Sequence, residues 1–392
     1  MKSALPQVEK SAATLFASDE KHEHSYDSRI GRARRALRRR ARLFVGLLIL
    51  CLFYLTAIFA DLLAPYDYRA QSRGEPLAPP TAIHFRDPQG RFSVRPFIYA
   101  RRLTDPLERR YEELPESAFP LELFARGYQH KLFGVWPTDR HLFGVRGGTQ
   151  EAASGVQEAT TATPRLNLLG TDALGRDRLS RLLRASRFSL VVGPLGTICA
   201  SLLGIILGCI AGYARSRLAE ALLMRAADVM MSLPVLVLIL AARAAFPLEL
   251  PPMRAALLLI SIFLAVGWAE MARLSRGLVV ALRRREFVLA AESIGLTQTR
   301  ILFRHILPNA LRPLVVQVTL MLPAFLLAET ALSFLGVGLQ EPEASWGNML
   351  AAAADPTLLA EQPLVLLSPA FAIFLFVLGV RLLSDGLKSK DV

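Results

Sequence analysis

The sequence predicts an all-α integral membrane protein with six crossings and a large insert between the first two. Apolar residues make up 53% of the 392-residue chain. They gather into runs of about twenty, the length a helix needs to cross roughly 30 Å of hydrocarbon. The formal charge of +13 is carried almost wholly by arginine, with only six lysines among 46 basic residues. Much of that charge abuts the apolar runs, where it sets topology and attracts anionic lipid, so a lipid membrane is the expected partner and nucleic acid is not.

The elements follow in order. Residues 1 to 42 form a basic tail in which Arg29, Arg32, Arg34, Arg35, Arg38, Arg39, Arg40 and Arg42 precede the first crossing, 43 to 64. Eight arginines there hold that end in the cytoplasm. The run starts too late and is too long for a signal-peptide core, so the first crossing is expected to be kept. Residues 65 to 187 are too charged for lipid. Their patches Phe92 to Tyr99 and Phe119 to Phe124 suggest a small, partly β, extracytoplasmic fold, and 146 to 164 read as flexible. Leu174, Leu179, Leu182 and Leu183 recur at helical spacing among arginines, predicting an amphipathic interfacial helix capped by Thr171 or Asp172. Five more crossings, about 188–213, 226–245, 254–272, 313–337 and 364–383, complete a core over 188 to 388. Six crossings place both termini in the cytoplasm. The short connections agree: 246–253 and 338–363 hold no Lys or Arg, whereas the opposite connections carry Arg273, Arg276, Arg283, Arg284, Arg285, Arg300, Arg304 and Arg312. Arg176, Arg178, Arg181, Arg184 and Arg187 run against the rule, but long translocated segments escape it.

No enzyme chemistry stands out. Cys51, Cys199 and Cys209 lie in apolar runs and read as small buried hydrophobes. No His, Cys and carboxylate spacing suggests a metal, and no cofactor is expected. The Walker A pattern requires Gly-Lys, a dipeptide that occurs nowhere in the chain, so hydrolysis of ATP would have to come from another polypeptide. Glu329 falls inside the fifth crossing, where a carboxylate is costly, and is a candidate for the pathway or for a structural partner. Asp228, Arg243 and Glu270 sit nearer the ends of their crossings and are expected to snorkel.

The most informative stretch is the loop 283 to 309, with Glu286, Ala290, Ala291, Glu292, Gly295, His305 and Pro308. Small Ala290 and Ala291 permit close contact, Gly295 ends the first helix, and Pro308 breaks a second, giving two short helices across the inner surface. This arrangement resembles the EAA loop of ABC importer permeases of the dipeptide, oligopeptide and nickel family, with Leu289 where that family has its leading glutamate. Three further blocks are similar to the same family: Gly170, Thr171, Asp172, Gly175, Arg176 and Asp177 before the second crossing; Ala328 to Gly338 with Ser345 to Leu350; and Ser384-Asp385-Gly386-Leu387. The resemblance implies the type I importer fold, a multi-pass protein of the bacterial cytoplasmic membrane that is not itself an enzyme. It also implies partners: a second homologous permease, two cytoplasmic ATPase subunits, an extracytoplasmic solute-binding protein and a peptide substrate. Nickel or another small solute is the alternative cargo. A secondary transporter or channel is a rival class, for which Glu329 would supply the ion coupling. A membrane-anchored enzyme is a second rival, with His84, His130 and His141 of the insert as its candidate groups.

Overall fold

The computed structural model describes residues 37–86, 92–106, 108–132, 135–145, 164–213 and 217–387. The arginines at 29 to 35 and most of the 146 to 164 stretch lie outside these residues. Among the described residues five helices are long and apolar enough to cross a membrane, or six if one bent pair is a single span. They are α1 (Leu37–Ile58), α2 (Arg178–Tyr213), the bent pair α3 (Arg217–Ser232) and α4 (Val235–Ala244), α5 (Pro252–Arg283), α7 (Gln298–Phe334) and α9 (Pro363–Leu387). Short helices α6 (Glu286–Ser293) and α8 (Trp346–Ala351) sit in the connections.

The bundle is organised around α2 and α5, which run side by side in the same direction. Gly204, Gly208 and Gly212 recur every fourth residue and so form one strip along α2. A Cβ on Gly208 would lie 2.3 Å from Ala272 O, and one on Gly204 2.5 Å from Trp268 O. Only glycine lets the two backbones meet this closely, the packing that membrane helices use where lipid removes the hydrophobic drive. Ser275 Oγ donates to Ile205 O across the same seam at 3.1 Å. Against it lie α4 and α7, with Val192, Leu259, Phe263, Val266, Met321 and Phe325 buried together. Phe263 and Phe325 stack at 4.8 Å between ring centres. On the other flank α1 and α9 close with Gly46 against Gly379, and Phe53, Trp346 and Phe376 meet edge to face.

Three expectations are corrected. The chain is not all-α, because the long insert carries an antiparallel sheet of order β1-β2-β3-β6 and a separate hairpin, β4-β5. These strands are β1 (His84–Arg86), β2 (Phe92–Asp105), β3 (Arg110–Leu123), β4 (Arg126–Leu132), β5 (Trp136–Arg140) and β6 (Phe143–Val145). Ile98, Val145 and Leu166 form its small core. The stretch expected as one crossing at 226–245 is instead α3 and α4, bent by 90°. Pro234 has no N–H to continue α3, and Ser232 Oγ donates back to Val229 O at 2.7 Å. Finally, no separate interfacial helix precedes the second crossing, since α2 runs unbroken through residues 178 to 213. Its arginines face protein rather than lipid.

Gly208→Leu is expected to separate α2 from α5, costing about 1–3 kcal/mol or more. Gly277→Ala, on α5 where an added Cβ meets nothing within 4 Å, should be neutral or slightly stabilising. Thermal unfolding in detergent checks both, with the first midpoint lowered and the second unchanged or raised.

Candidate functional site

The predicted site residues fall at opposite ends of the bundle. At one end, α6 and the start of α7 cover the ends of α2 and α5; at the other, the block at 170 to 177 joins the sheet. We call these the loop end and the sheet end.

At the loop end α6 is closed by its own backbone. Gly295 takes φ +81, its N–H donates to Glu292 O at 2.9 Å, and Leu296 N–H reaches back to Ala291 O at 3.2 Å. This is the Schellman ending that a left-handed glycine permits. It fixes which way each side chain looks. Val288 and Ala291 are buried with Cys209, Val279, Ile301 and Ile306, which tie α6 to α2, α5 and α7. Glu286, Phe287, Leu289, Ala290, Glu292 and Ile294 are exposed. The Ala-Ala pair is therefore divided, with Ala291 facing the bundle and Ala290 facing out. Phe303 adds a further exposed ring.

Pro308 does not break a second short helix, correcting the expectation. The turn Gln298–Ile301 continues through a wide turn at Leu302–Ile306 into Leu307–Phe334. Leu307 N–H reaches Leu302 O, five residues back, and the widened turn accommodates a proline that has no N–H to offer. Half-buried His305 gives its carbonyl to Asn309 Nδ2 at 2.6 Å. Residues 298 to 334 thus form one continuous helical run.

At the sheet end the block is a knot of buried polar bonds. Thr171 Oγ1 donates to Glu75 O at 2.5 Å and accepts from Ala78 N at 2.8 Å. Gly170 and Gly175 take φ +66 and +72, and a Cβ at Gly175 would lie 2.0 Å from Ser72 O. Asp172 accepts from Arg176 Nε at 2.6 Å, and Glu341, in the loop after α7, receives Arg176 at 2.6 Å and Arg181 at 2.8 Å. Glu343 beside it takes Tyr68 and Arg69. Asp61 pairs with Arg184 and Arg187. These ion pairs account for arginines that opposed the charge rule: they neutralise carboxylates of this chain.

The helix cap is Asp177, not Thr171 or Asp172. Its Oδ2 accepts from Ser180 N at 2.7 Å and Ser180 Oγ at 2.6 Å, in the manner of an N-cap, while Oδ1 accepts no hydrogen bond among the described residues. Burial pushes its carboxyl up to about 6 from 3.8. The nearby Glu75 carboxyl is raised by burial as well.

Glu329 does not line a surface of this chain. It is fully enclosed, with Ser333 Oγ donating to Oε1 at 2.9 Å and Ser189 as a second hydroxyl neighbour. Trp346 N–H donates to that same Ser189 at 3.4 Å, so Glu329 belongs to the packing of α2, α7 and α8. Arg243 does not snorkel either. It is buried and donates to the carbonyls of Phe246, Pro247 and Leu248, which close α4. The insert's histidines are similarly occupied: His84 with Glu113 at 3.0 Å, and His141 against the carbonyls of Asp61 and Tyr128. No group of three His, Cys, Asp or Glu among the described residues could hold a metal.

The loop-end side chains and the sheet-end knot occur in a setting shared with known proteins. Residues 204–389 match the family described as binding-protein-dependent transport system inner membrane component, and 28–80 match the N-terminal membrane domain of oligopeptide transport permease C. The dipeptide transport system permease protein DppC of Alkalihalophilus pseudofirmus is 39% identical over 219 residues, 56% of this chain and 69% of that protein. The chain belongs to this permease family. DppC of Bacillus subtilis is 39% identical over 56% of this chain and 66% of its own length, and OppC of the same organism is 35% identical over 56% and 69%. Among solved structures, the inward-facing MetNI methionine ABC transporter covers 51% of this chain and 94% of its own, at 18% identity and a TM-score of 0.32.

The permease is thus a multi-pass inner membrane protein. Proteins of this family work with a binding protein and with separate ATPase subunits, so it is not an enzyme. Sequence reasoning missed Gly204, Gly208 and Gly212, although their four-residue spacing was in view. It also missed Glu341, the acceptor of two buried arginines, because that contact joins residues 160 or more apart.

Between pH 3.8 and about 6 the folded chain keeps a proton on Asp177 that the unfolded chain has released. Stability therefore falls as pH rises through that window. Asp177→Asn keeps the cap acceptor and should flatten this part of the profile, raising the unfolding midpoint at pH about 8 relative to wild type. Thermal unfolding in detergent across the range reads the difference.

Proposed function

We propose that this permease is half of the membrane pathway of an ATP-driven peptide importer, completed by a second homologous permease. Two cytoplasmic ATPases would serve the pair, and an extracytoplasmic binding protein would deliver the peptide. The observation that carries this reading is α6: a short, internally closed helix with Val288 and Ala291 seated in the bundle and an apolar outer face of Phe287, Leu289, Ala290 and Ile294. Flanking Glu286 and Glu292 give that face a polar rim. Such a knob suits a groove on a partner, and its seating makes it a lever on α2, α5 and α7.

The peptide relatives support the cargo. The arginines at the loop end support a cytoplasmic position for that end, with six crossings when α3 and α4 count as one broken span. The sheet end then faces outward, and its knot of Asp172, Arg176, Arg181 and Glu341 gives the binding protein a stiff landing surface. Closure of the ATPases would move α6, and the rigid join through Leu302–Ile306 would pass that motion to α7. The pathway would thereby switch between two states of access.

Ala290→Arg adds a long cation to the exposed face without entering the core. We expect it to abolish co-elution of the ATPases and lower uptake at least about ten-fold, while the permease remains in the membrane at wild-type level. Pull-down through a tagged permease, with uptake of a labelled peptide, checks this. Full ATPase capture by the variant would overturn the docking role.

A further inference from the structure

The 90° bend between α3 and α4 has a consequence for the helices beneath it. Both α3 and α4 pack against α5, and beside the bend Glu270, Arg273 and Gly277 of α5 are exposed whereas Leu259 and Phe263 further along it are buried. A cavity of about 420 Å³ opens there, lined by Met231 of α3, Glu270, Arg273, Leu274 and Gly277 of α5, and Gln317 of α7. Charges in this region are mostly matched within the chain: Glu220 pairs with Arg276, and Asp228 with Arg273 at 2.9 Å. Glu270 differs. Gln317 Nε2 donates to its Oε1 at 2.7 Å, and no ion pair reaches it among the described residues.

Lipid is a poor neighbour for this surface. Residues 231 to 237 are all exposed, and the unwound backbone at Ser232–Pro234 can meet neither hydrocarbon nor an open edge at membrane depth without losing hydrogen bonds. Backbone of this kind is tolerated where it is buried in protein or lines water. Glu270 lies 18 residues along α5 from Pro252, roughly 27 Å at helical rise, near the mouth at the loop end. An unpaired carboxylate there is repelled by anionic headgroups. Charged side chains are also scarce in the dry centre of protein interfaces, which favours water over a packed partner.

We infer that this trough is the loop-end mouth of the aqueous pathway, and that Glu270, held in place by Gln317, receives the ammonium group of the passing cargo. The cargo assignment rests on the peptide reading above and narrows it: a peptide with a free amino terminus carries a cation for Glu270, which unlike Asp228 and Glu220 has no ion pair among the described residues. Arg273, engaged by Asp228, leaves Glu270 available to it.

Gly277 gives a direct test, because an added side chain there meets nothing within 4 Å. Gly277→Cys is placed in a full transporter whose Cys51, Cys199 and Cys209 have been replaced by alanine. Inverted vesicles then expose the loop end, and a water-soluble maleimide is the probe. Labelling is expected, slowed several-fold by millimolar tri-alanine but not by N-acetyl-tri-alanine, and the protection should vanish with Glu270→Gln. Labelling only by a lipid-soluble maleimide would overturn the aqueous trough. Equal protection by both peptides, or protection that survives Glu270→Gln, would overturn the role of Glu270. Uptake of labelled tri-alanine by the intact transporter keeps the two readings apart. Import with equal protection overturns the Glu270 assignment, whereas selective protection without import overturns the peptide reading alone.

Discussion

The close parallel contact of α2 and α5 is the constraint on which the rest of this permease depends. With no water to drive helices together, backbone proximity and a few cross-helix hydrogen bonds must hold them, and side chains at Gly204, Gly208 or Gly212 would forbid both. That contact sets the level of Phe263 and Phe325, which stack against it, and so places α7. At its far end Arg283 donates to Gly212 O at 3.1 Å, fixing where α5 stops and α6 begins. The orientation of the exposed loop-end face therefore depends on a glycine strip that ends beside it.

Polar groups divide between the two ends according to what they must do. At the sheet end, the buried Arg176 and Arg181 are matched by Asp172 and Glu341, and removing those carboxylates would strand them, so the geometry is correspondingly rigid. At the loop end, apolar side chains stand in the open beside charged ones, the composition of a surface awaiting a partner. A rigid collar at one end and an adhesive face at the other are compatible with the proposed membrane component, moved from one side and loaded from the other.

The bend at Ser232–Pro234 links the two. Met231 at the end of α3 lines the trough in which Glu270 stands exposed beside Gln317. The break exposes the backbone between α3 and α4, of a kind that membrane proteins keep where protein or water can satisfy it.

Apolar length alone marked the membrane class and the five long apolar helices, and a left-handed glycine marked the closure of α6 at Gly295, because both signals act locally. The sequence also carried the family likeness through short blocks in order. Which member of a motif does which work emerged from packing. Asp177 rather than Asp172 caps α2, Ala291 rather than Ala290 faces the bundle, and Glu329 is enclosed by Ser189 and Ser333 while Glu270 stands open. The apolar stretch at 226 to 245 looked like one crossing because hydropathy records length and composition, and is blind to the direction in which a helix leaves a proline. Burial, partner and exposure are properties of neighbours brought from distant parts of the chain, so no local pattern could have assigned them.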